Sequence, residues 1–473
     1  MTNACDHFNW VARNDAHARR AQRDFHAQLL RHFRHHIPDG SRVLECGCGN
    51  GDLLAGLRPA IGLGIDCSPA MVEKARERHG AQQGLEFQQQ DVEAGSVGGK
   101  YDHIILDYLT GYLTDVQSAL QKLRSSAHER TRLHITTLNT LWLHPLAMAV
   151  RLGAVMPQPP SNWLSHEDLF NLLELAGWEV VNFEHLQLFP FNWALLSPLL
   201  NNVCVRLPLI RHFGITVAIT ARPKMVGAVT GGISCSVIVP ARNESGNIRA
   251  AIERIPTLGN RTEIIFVEGN SRDDTWRTIE AEVAAYRGAH LLKALKQPGR
   301  GKWDAVRTGF AAAQGNVLVI QDADLTAPPE DLPKFYETLM NGTAEFINGS
   351  RLVYPMEARA MRFLNLVGNK FFAIALSYVL GQSVKDSLCG TKMLLRSDYE
   401  RLLLRIAELG DFDPFGDFNL LFGAALLDLR IRDLPVRYKD RSYGETNISR
   451  FSHGWLLLRM TWFALWRLKF RKS

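Results

Sequence analysis

The sequence is poor in cysteine, and the few it has do not pair by spacing: Cys5, Cys46, Cys48, Cys67, Cys204, Cys235 and Cys389 are odd in number and scattered. That pattern excludes a disulfide-framed secreted module and a doubled Cys-x-x-Cys zinc signature, and its simplest reading is a reducing cytoplasm. Long apolar runs are missing too. Phe189 to Ile210 is broken by Pro190, Pro198 and Pro208, and Trp455 to Lys472 by Arg459 and Arg467. Neither sustains the roughly 20 residues of a spanning helix. Met1-Thr-Asn-Ala-Cys-Asp-His offers no basic segment followed by an apolar one, so no export signal is expected. Charge of either sign is not in excess. A net +6 fits an anionic ligand or a membrane surface, and no nucleic-acid-binding motif accompanies it.

What is present is an ordinary globular composition, 46% hydrophobic and 22% charged, over 473 residues, enough for two or three domains. The small, uncharged stretch Val226-Gly-Ala-Val-Thr-Gly-Gly232 falls between two complete strand-helix patterns. It divides the chain into a first domain at 1–224, a linker at 225–232, a second domain at 233–452 and a basic aromatic C-terminal helix at 453–473. In that last helix, Trp beside Arg and Lys suits a lipid interface, with Phe371 to Leu380 a candidate to join it; packing on its own domain is the equal alternative.

The first domain opens with an amphipathic helix over Asn14–His36, on the helical spacing of Phe25, Leu29, Leu30 and Phe33. Its neighbourhood holds His7, His17, His26, His32, His35 and His36, but no carboxylate set stands with them in sequence, so solvated histidines are expected rather than a metal site. A strand then runs through Val43-Leu44 into Glu45-Cys46-Gly47-Cys48-Gly49-Asn50-Gly51. Glycines there let the backbone turn sharply and let a ligand lie against it. Strands near 61–65, 85–87 and 101–106 end in Asp66, Asp91 and Asp107; an acid about twenty residues past the glycines suits two ribose hydroxyls. The third glycine comes one residue too early for the Gly-x-Gly-x-x-Gly of a dinucleotide site.

On these residues the first half resembles the class I S-adenosylmethionine-dependent methyltransferases, whose first motif is acid-x-Gly-x-Gly-x-Gly. The resemblance implies that Gly47, Gly49 and Gly51 line the methionine and ribose, that Glu45 meets the amino group, Asp66 the ribose and Asp91 the adenine amine. His103, Tyr108 and Tyr112 follow or lie on the fourth strand, where acceptors of that family sit; each reads equally as packing. Ser165, with acids after it, caps a later helix, and strands follow at Gly177–Phe183 and Gly214–Thr220. Phe189 to Ile210 is either an acceptor-side or membrane-facing cover or ordinary core.

The second domain turns on Val317-Leu-Val-Ile-Gln-Asp322-Ala-Asp324, an apolar strand that ends in two carboxylates and then Pro328-Pro329. Residues two apart on extended chain point the same way, so both acids can share one hard divalent ion, which neutralises a diphosphate. Upstream come Cys235-Ser-Val-Ile-Val-Pro240-Ala-Arg242-Asn243-Glu244, then a strand ending in Glu268, then Gly299-Arg-Gly301-Lys302-Trp303.

These four segments, in this order, resemble glycosyltransferase family 2, with its GT-A fold. The resemblance implies that Pro240, Arg242, Glu244 and Glu268 surround the base and ribose of a nucleotide sugar, UDP- or GDP-linked. It puts Lys302 and Asp322 near the diphosphate, and Mg2+ or Mn2+ on Asp322 and Asp324. Glu268 stands where the family commonly has Asp, and Trp303 where it often has Gly. Phe346 to Arg351, Asp386 to Lys392 and Pro435 to Asn447 are similar to segments of its dolichol-phosphate mannose synthase branch. By that similarity Arg351, Arg362, Asp386 and Arg441 serve phosphate or acceptor, and Thr326 stands in place of that branch's third metal ligand. Asp417 corresponds to the family's base, which a hydroxyl acceptor needs and a polyprenyl phosphate, already an anion, does not.

The expectation is therefore two Rossmann-like α/β domains, a methyltransferase fold followed by a GT-A fold. The function expected is methyl transfer from S-adenosylmethionine together with inverting, metal-dependent sugar transfer by Asp324 and Asp417 with their neighbours. Polyprenyl phosphate is the expected acceptor, on the cytoplasmic side and peripheral to the inner face of a membrane. The alternative is a glycan or other hydroxyl acceptor, with the first domain a docking module that binds S-adenosylmethionine without turnover.

Overall fold

Apolar runs that alternate with glycine, proline and acid stops become two seven-stranded sheets in the computed structural model. It describes residues 4–13, 19–151, 162, 164–189, 193, 196–225, 232–351, 353, 363–409, 417–439, 443 and 450–470. The chain divides into two units, residues 1–224 together with 469–473, and residues 225–468.

In the first unit the strands are β1 (Arg42–Cys46), β2 (Ile61–Asp66), β3 (Leu85–Gln89), β4 (Tyr101–Asp107), β5 (Ala127–Leu138), β6 (Trp178–Leu186) and β7 (Thr216–Pro223), in the order β3-β2-β1-β4-β5-β7-β6. β7 runs antiparallel to both β5 and β6, while the other neighbours are parallel. The chain winds outward from β1 through β2 and β3, then restarts beside β1 with β4. That reversal opens a crevice at the carboxyl ends of β1 and β4, the usual ligand position in an open α/β sheet. Burial on both faces explains the unbroken apolar strands: Leu44 and Leu106 pack into one layer, their neighbours Val43 and Ile105 into the other, with Leu29 and Phe33 of the helix Arg19–His36.

Ser165 caps the helix His166–Leu175 reciprocally with Asp168. The proline-broken segment forms short helical turns between Leu196 and Phe213 and leaves Leu209 84% and Phe213 60% exposed, so it is not core throughout. The cysteines differ from the sequence reading. Cys5 and Cys67 are joined in a disulfide across 62 residues, Cα to Cα 5.8 Å, because the helix Ala4–Arg13 packs on the helix Pro69–His79 just after Cys67. Scattered spacing conceals such a pair; Cys46, Cys48, Cys204, Cys235 and Cys389 are free thiols.

The second unit contains β8 (Cys235–Ala241), β9 (Thr262–Glu268), β10 (Leu291–Lys296), β11 (Val317–Ile320), β12 (Phe346–Ser350), β13 (Lys392–Leu395) and β14 (Ile431–Pro435), ordered β10-β9-β8-β11-β13-β12-β14. Only β13 is antiparallel to its neighbours. The winding again reverses at the centre, between β8 and β11. Ile238, Leu318 and Ile320 face one core layer and Val237, Val239, Val317 and Val319 the other. The C-terminal helix Arg450–Ala464, with its continuation Leu465–Phe470, whose last two residues count with the first unit, has two apolar faces. Leu457, Met460, Ala464 and Leu468 are packed, whereas Trp455, Leu458, Trp462 and Trp466, also at helical spacing, are exposed. No helix among the described residues is long and apolar enough to cross a membrane.

Candidate active sites

In the first unit the loop after β1 turns through Gly47, Gly49 and Gly51, all at positive φ (74, 51 and 77°), where side chains with Cβ are strained. A Cβ on Gly49 would meet nothing within 4 Å, so the loop leaves open space at its middle glycine. Asp66, at the end of β2, ties the loop down: its Oδ2 accepts from Gly49 N at 2.9 Å and its Oδ1 from Ser68 N at 2.8 Å. Burial outweighs these two bonds and leaves its carboxyl raised. Asp91 lies exposed just beyond β3 and accepts from Glu93 N.

Glu45 is 2% exposed, and its Oε2 has no hydrogen-bond partner. Burial first, and then the charge of Asp107, push its carboxyl well above the usual range. A buried acid with an unanswered oxygen beside an open glycine loop is what a cationic amino group would satisfy. The residues present thus fit the amino-acid end of S-adenosylmethionine.

The three candidate acceptor-side groups separate. His103 is buried and its Nδ1 lies 3.0 Å from His134 Nε2, which makes it part of the packing. Tyr108 stands at φ 53° just after β4, bonded through its hydroxyl to Thr216 and set against the Phe25 ring at 5.7 Å. Tyr112 meets Phe8 edge to face at 5.2 Å.

In the second unit Asp322 and Asp324 follow β11 at the central reversal. The turn between them and Thr326 holds Leu325 at φ 54°, an uncommon conformation for leucine. Lys302 begins the helix Lys302–Ala312, and its Nζ lies 2.7 Å from Asp322 Oδ1. Burial alone would raise the Asp322 carboxyl, but Lys302, with Lys392 and Arg351 beyond it, outweighs burial and holds it below the usual range. Thr326 Oγ1 donates to Asp324 Oδ1 at 2.9 Å, so the residue in the place of a third ligand orients the second acid. The donor set, two carboxylates with a cation already beside one, fits a hard divalent ion such as Mg2+ or Mn2+.

Of the nucleotide-side candidates, Arg242 is exposed just after β8, while Pro240 lies on β8 itself. Glu244 is buried and its Oε2 accepts from Asn247 Nδ2 at 2.7 Å. Glu268 ends β9 and accepts from Ser271 N, which shapes the following turn. Trp303 is 4% exposed and belongs to the core, so the bulk at that position points away from solvent.

Arg351 and Asp386 face each other rather than a phosphate. Arg351 Nε and Nη2 donate to the two Asp386 oxygens at 2.7 and 2.9 Å, and the guanidinium lies 5.2 Å from the Tyr438 ring. At 14% and 1% side-chain exposure the fork is committed inside the fold, because β12 and the segment before β13 bring the two together. Arg362 and Arg441 lie outside the described residues. Asp417 is the first residue of the helix Asp417–Leu426, and its side chain is likewise outside what is described.

Two residues escaped sequence reasoning. Lys392 is fully buried with Nζ donating to Cys389 O at 2.6 Å, one of the charges that depress Asp322. Gly390 leaves the space the acid needs: a Cβ there would stand 2.0 Å from Asp322 Oδ2. A glycine inside the Asp-x-x-x-Gly segment was the signal for it.

Comparison with known proteins agrees with this division. Residues 236–403 match the family model for glycosyl transferase family 2, and residues 15–182 match a methyltransferase domain. A dolichyl-phosphate hexose transferase of Haloferax volcanii is 32% identical over 222 residues, covering 46% of this chain and 88% of that protein. A low-salt glycan biosynthesis hexosyltransferase of the same organism is 29% identical over 231 residues, 47% of this chain and 52% of the relative. An undecaprenyl-phosphate 4-deoxy-4-formamido-L-arabinose transferase of Klebsiella pneumoniae is 32% identical over 220 residues, 45% of this chain and 62% of the relative. The chain thus spans a little over half the length of the last two. Its second half belongs to glycosyl transferase family 2, and its first half is a methyltransferase domain.

Proposed function

We propose that the chain joins methyl transfer from S-adenosylmethionine to inverting, metal-dependent transfer of a sugar from a UDP- or GDP-linked donor to polyprenyl phosphate. The observation that carries the sugar-transfer reading is the pair Asp322 and Asp324 at the carboxyl end of β11, with Lys302 against the first acid. Bound Mg2+ or Mn2+ would supply the charge that stabilises a nucleoside diphosphate as it departs. Asp322 and Asp324 would hold that ion, Lys302 would add a second positive charge on the diphosphate side, and Arg242, Glu244 and Glu268 would bound the nucleotide side. The acceptor class follows the polyprenyl-phosphate substrates in the names of two relatives. The exposed stripe Trp455, Leu458, Trp462 and Trp466 supports peripheral attachment to the membrane in which such a lipid resides. For methyl transfer the support is the unanswered oxygen of Glu45 beside the open loop at Gly49.

Replacement of Asp417 by Asn separates the acceptors. A phosphate acceptor needs no base, so the transfer rate stays near that of the native chain. A rate loss of about 100-fold or more, the scale of general-base catalysis, would assign a hydroxyl acceptor instead.

A further inference from the structure

In the sequence no carboxylate set with ligand spacing accompanies the N-terminal histidines; in the fold Glu184 joins two of them. His32 and His36 stand four residues apart on the helix Arg19–His36 and so share a face. Both are buried, at 6% and 8% exposure, and their ring centroids are 4.8 Å apart. Glu184, on β6, places Oε2 3.7 Å from His32 Nδ1. One ligand atom from each of the three residues lies within 4.8 Å of the other two.

We propose that His32, His36 and Glu184 form a binding site for a divalent transition metal of the zinc class, which pins the helix Arg19–His36 to β6. Ligand atoms around a tetrahedral zinc stand roughly 3.3 Å apart, given bonds of 2.0–2.1 Å. Small rotations of the two imidazoles bridge the difference. Two imidazoles and one carboxylate favour such an ion over Mg2+, which prefers the all-oxygen set of Asp322 and Asp324. Glu184 Oε1 accepts from Lys469 at 2.8 Å, a residue of the same unit, so the incoming ion competes with that ammonium for the carboxylate. Behind His36 the ring of His134 lies 6.1 Å away, between centroids, and continues the buried imidazole layer to His103. The consequence reaches the methyltransferase crevice, because the same helix sets Phe25 against Tyr108.

The test uses the full chain, stripped with chelator and titrated with Zn2+ and with Co2+, whose visible absorption reports tetrahedral nitrogen and oxygen coordination. The expected result is one tight equivalent that excess Mg2+ does not displace, with slowed hydrogen exchange over residues 25–36. His36→Gln should weaken it by about 100-fold or more, since even the outer partners of metal ligands are worth 10–100-fold. Lys469→Met should tighten it severalfold by removing the competing charge. Equal affinity in the native and His36→Gln chains would overturn the proposal. So would the absence of a tight equivalent in both the native and Lys469→Met chains, an outcome that does not depend on whether the histidine variant folds.

Discussion

Lys302 Nζ lies 2.7 Å from Asp322 Oδ1, at the point where the second sheet reverses its winding. Without a divalent ion the acid already has a cation; on the function proposed above, a bound ion takes that place and the same lysine turns to diphosphate oxygens. Lys302→Met should therefore lower kcat for sugar transfer by 100-fold or so while apparent metal affinity rises, since the ion no longer competes with the ammonium. Rate against Mn2+ concentration checks this. A variant that loses rate and metal affinity together would mean that Lys302 organises the site rather than addressing the diphosphate.

The space beside Asp322 is as specific as the charge. Gly390→Ala puts a methyl group 2.0 Å from Asp322 Oδ2 and should abolish metal-dependent turnover with far-ultraviolet circular dichroism unchanged. Gly368→Ala is the control: its added carbon meets nothing within 4 Å, and inside the helix Phe363–Leu380 it should stabilise by ~1 kcal/mol.

Arg351 and Asp386 give a stability prediction in place of a binding one. Removing either partner leaves a buried charge alone, so Asp386→Ala should cost about 3–5 kcal/mol, read by denaturant unfolding of the second unit. Arg351→Met with Asp386→Leu should recover most of it. Burial raises the Asp386 carboxyl, but Arg351 outweighs it and holds it low. The pair's contribution is thus present above the unfolded carboxylate range and lost as pH falls through the depressed value. An unchanged midpoint in Asp386→Ala with a raised KM for the acceptor would restore the phosphate-binding role.

Glu45 carries the opposite sign. Its carboxyl is raised, so the free protein holds it protonated over part of the range in which an exposed acid is ionised. An ammonium binds the ionised form, hence S-adenosylmethionine should bind with release of a proton below the raised value and with affinity that increases with pH. Calorimetry in buffers of different ionisation enthalpy measures that proton directly. Binding without proton release, or binding unaffected in Glu45→Gln, would remove Glu45 from the site.

How far the sequence was legible follows from range. Glu45 to Gly51, Asp66 and the Asp322-Ala-Asp324 pair are local patterns, strand then turn, in which neighbouring residues dictate the geometry. The two apolar layers were legible for the same reason, since Val317 to Ile320 cannot be apolar throughout unless covered on both faces. What stayed hidden depends on contacts between distant segments. Cys5 meets Cys67 only once two helices have packed, Glu184 reaches His32 from a strand about 150 residues on, and Asp386 claims an arginine that the family resemblance assigned to phosphate or acceptor. The C-terminal helix was a choice between packing and lipid. The structure has a packed face, with Leu457 and Met460 buried, and an exposed aromatic face, with Trp455 and Trp462, on which the lipid reading rests.

That helix yields a membrane prediction. Trp455→Glu with Trp462→Glu should abolish sedimentation with anionic phospholipid vesicles while transfer to a short, water-soluble polyprenyl phosphate persists. Equal binding by the variant would place attachment elsewhere.

The most direct measurement of the central claim is transfer of labelled sugar from a panel of UDP- and GDP-linked donors into an organic-soluble product, by the full chain with polyprenyl phosphate and Mg2+ or Mn2+. Transfer is expected from one donor, requiring both metal and lipid and disappearing in the chain carrying Asp322→Asn and Asp324→Asn. Transfer that persists in that variant, or nucleoside diphosphate release with no need for the lipid, would contradict that claim.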